Sequence, residues 1–200
     1  AEFVVDPSHR GQGVGTRLLE QILERCDPSV KIWAHGDHPA ARALATSHGF
    51  DPVRQLLQLR APVMPSAVSD ASITGFRPGV DDDDWLALNA RAFAFHPEQG
   101  SVRQPDLTQL AGERWFDPAD FLLLRDGDAL VGFCWLKIED SIGEFYVVGV
   151  DPQRQGEGLG RRLMDAGFSR LAARGIRTAA LYVESDNVPA VALYRSLGFE

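Results

Sequence analysis

Two glycine-rich stretches are the residues whose types and spacing most directly specify chemistry. One reads Gln155-Gly156-Glu157-Gly158-Leu159-Gly160-Arg161 and follows the apolar run Phe145 to Val150; the other, Arg10-Gly11-Gln12-Gly13-Val14-Gly15, comes soon after Phe3-Val4-Val5. Closely spaced glycines let a chain turn its amides inward, and a helix that starts at such a turn adds positive potential. A strand, a turn of this kind and a helix therefore form a cradle for a phosphate or pyrophosphate. Two other phosphate loops share this logic. A P-loop requires Gly-Lys-Ser/Thr, which is absent, and a dinucleotide fingerprint requires GxGxxG, whose third glycine neither stretch supplies at the right spacing. The arrangement occurs twice, each time after Val-Asp-Pro, which argues against accident.

The elements that must hold these loops are duplicated with them. Val5 to Glu20 reappears as Val150 to Asp165, and Asp37-His38-Pro39-Ala40-Ala41 to Gly49-Phe50 reappears as Asp186-Asn187-Val188-Pro189-Ala190 to Gly198-Phe199. Two matches in the same order at nearly the same offset mean a duplicated domain. The first copy begins near its glycine motif and the second stops after Gly198-Phe199, so the chain is expected to lack the N-terminal part of one copy and the C-terminal part of the other. Residues 61 to 72, small and polar with two prolines, suit a linker. The expected division is 1–62, linker 63–72 and 73–200.

Within the second copy, a strand is expected over Ile73 to Arg77 and a helix from Trp85 to about Phe95, capped by Asp81 to Asp84. That aspartate run suits a helix N-terminus better than a metal site. A shorter helix is expected near Asp106 to Arg114. Phe121 to Leu124 and Leu130 to Lys137 flank Asp126-Gly127-Asp128 as a hairpin, and Phe145 to Val150 is a strand. Leu159, Leu163, Ala166 and Arg170 fall at helical spacing; a strand over Ala179 to Val183 and a helix over Val188 to Ser196 follow. The fold class is mixed α/β.

With 44% hydrophobic and 24% charged residues, the composition is that of a globular chain, and no apolar run approaches the roughly 20 residues of a membrane helix. A net charge of −8 argues against a nucleic-acid partner, because phosphate backbones are bound by clustered Lys and Arg. Cys26 and Cys134 stand far apart, which implies neither a disulfide framework nor a thiolate metal site. The pattern is that of a cytosolic, monomeric protein.

Gln155-x-x-Gly158-x-Gly160 and Arg10-x-x-Gly13-x-Gly15 resemble the acyl-CoA loop of the GCN5-related N-acetyltransferases. Asn187-x-x-Ala190-x-x-Leu193-Tyr194-x-x-x-Gly198-Phe199 is similar to that family's later helix and turn. The resemblance implies tandem GNAT folds, with acetyl-CoA as acyl donor and no metal. Its expected donor contacts are Val148, Gly149, Val150, Gln155 to Arg161 and Asn187, Val188, Pro189, Ala190, Val191 and Ala192. In the first copy they are Phe3, Val4, Val5, Arg10, Gly11, Gly13 and Gly15. Further stretches, including His96 to Gly100, Trp115 to Pro118 and Gly143 to Val150, resemble a tandem branch of the family. That branch implies acetyl transfer to the cysteinyl amine of a cysteine, glucosamine and inositol conjugate.

Amine acetylation needs a base for the amine proton, donors for the developing oxyanion and an acid for the leaving thiolate. Glu144, at the start of the strand that runs into the loop, fits the base; Tyr194, on the helix after Asn187, fits the acid. The resemblance assigns Glu98, Lys137, Glu144 and Tyr182 to acceptor contact. His96 and Cys134 read as packing residues. Repeat matching puts Ala45 where Tyr194 stands and the counterpart of Glu144 before residue 1, so the first copy keeps a phosphate cradle without the proposed acid. The alternatives are transfer to another small amine or a peptide N-terminus, and a CoA-binding module without turnover.

Overall fold

In a computed structural model, which describes residues 1–27, 29–64, 70–96 and 99–200, the chain divides into two compact units, Ala1–Arg54 and Gln55–Glu200. The first contains α1 (Val14–Leu23) and α2 (Pro39–Ser47). The second runs β1 (Leu56–Pro62), β2 (Ile73–Gly75), α3 (Asp82–Ala92), α4 (Gln104–Ala111), β3 (Phe121–Asp126), β4 (Ala129–Glu139), β5 (Ile142–Val150), α5 (Leu159–Ala173), β6 (Thr178–Glu184) and α6 (Val188–Ser196). Its strands form one sheet in the order β1-β6-β5-β4-β3-β2. Every pair is antiparallel except β5 beside β6. That parallel pair follows from the α5 crossover, because a helix between neighbouring strands returns the chain to the same end of the sheet.

Both faces of the sheet are covered, which is why β4 buries an unbroken run from Leu130 to Leu136 instead of alternating. On one face Leu122, Leu124, Cys134, Leu136 and Phe145 pack with Leu163, Met164 and Leu171 of α5 and with Phe199. On the other, Phe121, Leu123, Phe133, Trp135 and Val147 pack with Trp85 and Leu88 of α3 and Leu107 of α4. Gly167 lets α5 lie against β5: a Cβ there would stand 2.4 Å from the Phe145 ring.

Several expectations need correction. The boundary at 62 is late: β1 pairs with β6 from Leu56↔Glu184 to Pro62↔Thr178, so the units part after Arg54. Residues 65–69 of the expected linker lie outside the described residues. Among the described residues the first unit has no strand; Ala1 and residues 31–33 exchange backbone bonds without forming one. Helix α3 starts three residues early, and Asp81 at its N-cap makes no side-chain cap bond. Its carboxylate is instead buried between Arg77, at 2.7 Å, and Arg125, at 2.9 Å, which hold its pKa down to about 2. Helix α4 ends at Ala111 rather than near Arg114.

Candidate active site

The site begins with an opening in the sheet. β5 pairs with β4 along its length, but with β6 only from Ile142↔Thr178 to Phe145↔Leu181. Past that point the two strands part. The register explains the break: Trp135 faces Val147 while Leu136 faces Phe145, so Tyr146 is an extra residue, a β-bulge, and bulges bend a strand and sharpen its twist. The Asp151 N–H donates to the Val131 carbonyl on the β4 side. Alternation along the strand then directs the Val148 and Val150 N–H groups to the other edge, where β6 no longer runs. The pairing of β5 with β6 has ended at Phe145↔Leu181, so that strand does not pair with them.

Beyond the opening, the Asp151 carboxylate accepts from the Gln153 N–H and fixes the turn at Pro152–Arg154. Gly156 and Gly158 follow at φ +85° and +79°, where only glycine sits without strain. Gly158 is the N-cap of α5 and has no side chain to satisfy the helix amides, which leaves the Leu159, Gly160 and Arg161 N–H groups free for a ligand. Glu157, an anion beside this cradle, is neutralised by Arg154, which also reaches Asp126 at 3.0 Å. A Cβ on Gly160 would stand 3.3 Å from Leu193, so α6 flanks the cradle. Asn187 caps that helix by accepting from the Ala190 N–H at 3.3 Å, and Val188, Pro189, Ala190, Val191 and Ala192 form its first turns.

Glu144 lies at the head of the opening, inside β5 rather than at its start as expected. It is half-buried, opposite Lys137 on β4 and Ala180 on β6. Burial raises its pKa and Lys137 partly offsets this. Lys137 is likewise not a strand end, since β4 continues to Glu139. The bulge puts Tyr146 and Val147 on one face together, so Glu144, Tyr146 and Lys137 line the α3/α4 side with the Trp115 ring. Tyr182, on the same side of β6 just past the last paired residue, is 50% exposed and its hydroxyl accepts from Gln58 at 2.7 Å.

Tyr194 comes from the opposite face. It packs on Phe199, at 5.9 Å between ring centres, and its pKa is pushed up to about 12 by burial and then by Cys134, the partner of Val148. The phenol is therefore protonated across the neutral range. Glu98 lies outside the described residues. Sequence reasoning missed Tyr146, whose face is set by the bulge, and Trp115 as a site residue. It also missed β1, though Leu57, Leu59 and Ala61 alternate with Gln58 and Arg60 as a strand should.

In the first unit, Gly11 and Gly13 have φ of +73° and +75°, and Gly13 is the N-cap of α1. Arg10 donates to the Val5 carbonyl at 3.0 Å; Phe3 and Val5 are partly buried and Val4 is exposed. Gly15 falls in the first turn of α1. Among the described residues, no group of three or more His, Cys, Asp or Glu is arranged for a metal, and no helix is long and apolar enough to cross a membrane.

The acetyltransferase (GNAT) family model matches residues 1–50 and 85–199. The whole chain is 52% identical to a mycothiol acetyltransferase of Clavibacter sepedonicus and 48% identical to one of Streptomyces bingchenggensis, spanning 68% of each. A GCN5-related N-acetyltransferase from Sphaerobacter thermophilus shares the fold at 24% identity with a TM-score of 0.80, over the whole of this chain and 68% of that one. The split between β5 and β6, the glycine cradle beyond it and these matches agree: the chain belongs to the GNAT acetyltransferase family.

Proposed function

We propose that the second unit transfers the acetyl group of acetyl-CoA to the cysteinyl amine of a cysteine, glucosamine and inositol conjugate. The observation that carries this is the opening between β5 and β6, where β6 no longer pairs with the edge that carries Val148 and Val150 and a half-buried carboxylate stands at the head. An extended thioester arm fits such an opening, with its pyrophosphate on the Gly156 to Arg161 amides. The family's acyl donor supports that assignment, and the names of the relatives support the acceptor.

In this reading Glu144 accepts the proton of the attacking amine, directly or through water. The Val148 N–H donates to the carbonyl oxygen as negative charge develops there, the preorganised stabilisation on which acyl transfer depends. Tyr194, from the other face, protonates the departing sulfur. Lys137, Tyr182 and Glu98 contact the acceptor. The first unit's loop, with Arg10, Gly11, Gly13 and Gly15, holds a second phosphate cradle without an acid at Ala45.

The test is mass spectrometry of the protein with acetyl-CoA and a panel of amines: the cysteinyl conjugate, an aminoglycoside and a peptide with a free N-terminus. Acetylation of the conjugate with the highest kcat/KM is expected. Preference for the peptide or the aminoglycoside would replace the acceptor, and transfer to none would leave a CoA-binding module.

A further inference from the structure

How Lys137 is held bears on which amines the site accepts. Its ammonium lies 2.8 Å from Glu139 Oε2 and 5.2 Å from the centre of the Trp115 ring. Trp115 is anchored in turn by Trp135, at 5.7 Å between ring centres, and by Tyr146, at 5.3 Å. Trp135 is buried and stacks on Phe121 at 4.2 Å. A lysine on a strand surface ordinarily keeps its rotamer freedom; this one is fixed between a carboxylate and an indole. Lys137 stands directly across from Glu144, where side chains of antiparallel neighbours begin about 5 Å apart.

We propose that Trp115 and Glu139 are positioning residues of the acceptor site: they fix the Lys137 ammonium opposite Glu144, so that the site takes its acceptor as the free base and favours α-amines over alkylamines. The proposal rests on the acetyl-transfer reading above. A fixed cation beside the amine's binding point disfavours an ammonium there. An α-amine, with an ordinary pKa of about 8, yields its proton readily; a lysine-type amine near 10.4 holds it more than two decades more tightly. The groups facing Glu144 are Lys137 and Glu139 from β4, Tyr146 on its own strand with Glu113 beyond it, and Tyr182 from β6. Among the described residues Lys137 is the one cation in this set, beside the carboxylates of Glu144, Glu139 and Glu113, so loosening it leaves the surroundings of the amine more negative and more welcoming to an ammonium.

The test combines two readouts in the full chain. One is the ratio of kcat/KM for the cysteinyl conjugate to that for Nα-acetyl-lysine amide; the other is a ¹³C NMR titration of the Glu144 carboxyl, which needs no turnover. Trp115→Leu is expected to cut the ratio at least threefold and raise the acceptor KM, with the acetyl-CoA KM unchanged and the Glu144 midpoint moved up. Trp115→Phe should restore both. An unchanged ratio and midpoint in a folded Trp115→Leu protein would overturn the proposal. If that variant does not fold, Glu139→Gln decides by the ratio, because deleting the charge and releasing Lys137 move the Glu144 midpoint in opposite directions: a ratio cut at least threefold supports the proposal, and an unchanged ratio overturns it. Because the titration is independent of catalysis, an inactive protein with coupled Glu144 and Lys137 would count against the acetyl-transfer reading instead.

Discussion

The two copies of the glycine loop have nearly the same backbone and very different surroundings. Gly13 has φ 75° and ψ 6°, and Gly158 has φ 79° and ψ 6°; each is the N-cap of its helix. Asp6 and Asp151 each accept from the N–H two residues on and lead into a short turn opened by proline. The later turns also match: Phe50 N–H donates to the Ala45 carbonyl as Phe199 N–H donates to Tyr194. Yet α1 buries Leu19 alone, whereas α5 buries six residues against the sheet. The position bonded by the turn carries a methyl group in one copy and a phenol in the other. A cradle specified by Asp, Pro and Gly is a local property that travels with the sequence. The proposed catalytic groups depend on a strand bulge, a split sheet and a helix packed across it, and these are found together in the second copy.

The largest expected effect separates the copies at this position. Tyr194→Phe keeps the ring and its packing on Phe199 while deleting the hydroxyl, and should slow turnover by roughly 10² to 10⁴, the usual range for losing a general acid or base. Ala45→Ser in the first copy should leave turnover within about twofold, as a steady-state assay would read. Equal losses in the two variants would dissolve the distinction.

A smaller effect is expected at the cradle itself. Gly158→Val puts a β-branched residue at φ +79°, which is strained, and sets its side chain where a pyrophosphate must approach. Calorimetry should show acetyl-CoA binding weakened by roughly tenfold or more, with Gly158→Ala intermediate. Unchanged affinity in a folded Gly158→Val protein would place the acyl-CoA site elsewhere.

The smallest change tests the frame that holds the site. Asp81→Asn removes the carboxylate shared by Arg77 and Arg125 and should lower stability by about 1 to 3 kcal/mol in denaturant titration. Asp81 has a folded-state pKa of about 2 against an ordinary 3.8. Its contribution is therefore complete above pH 4 and lost as pH falls towards 2, and the Asn variant should lack that part of the acid dependence.

These differences show what a sequence displays directly. The hairpin around Asp126-Gly127-Asp128, the α5 start at Gly158 and the α6 cap at Asn187 were legible because each is set by residues close in the chain. The face on which Tyr146 lies was not, because it depends on one unpaired residue in the β4–β5 register. The Asp81 to Asp84 run was readable as a helix start, but not as a buried ion pair, because Arg125 arrives from a strand more than 40 residues away. Glu144 was legible as a candidate base, while the burial that raises its pKa is a product of the assembled sheet.

That pKa supplies the most direct test of Glu144 as the base. Burial raises it, so the folded protein holds this proton more tightly than the unfolded chain, and charged Glu144 opposes folding at neutral pH. In the wild type, kcat/KM for the cysteinyl conjugate should fall on the acid side with a midpoint above that of an ordinary glutamate. In Glu144→Gln the rate should drop by roughly 10² to 10⁴ and lose this limb, with a melting temperature at neutral pH equal to or above that of the wild type. If Glu144→Gln keeps the wild-type rate and the wild-type acid limb, Glu144 is not the base, and the second copy's chemistry lies elsewhere.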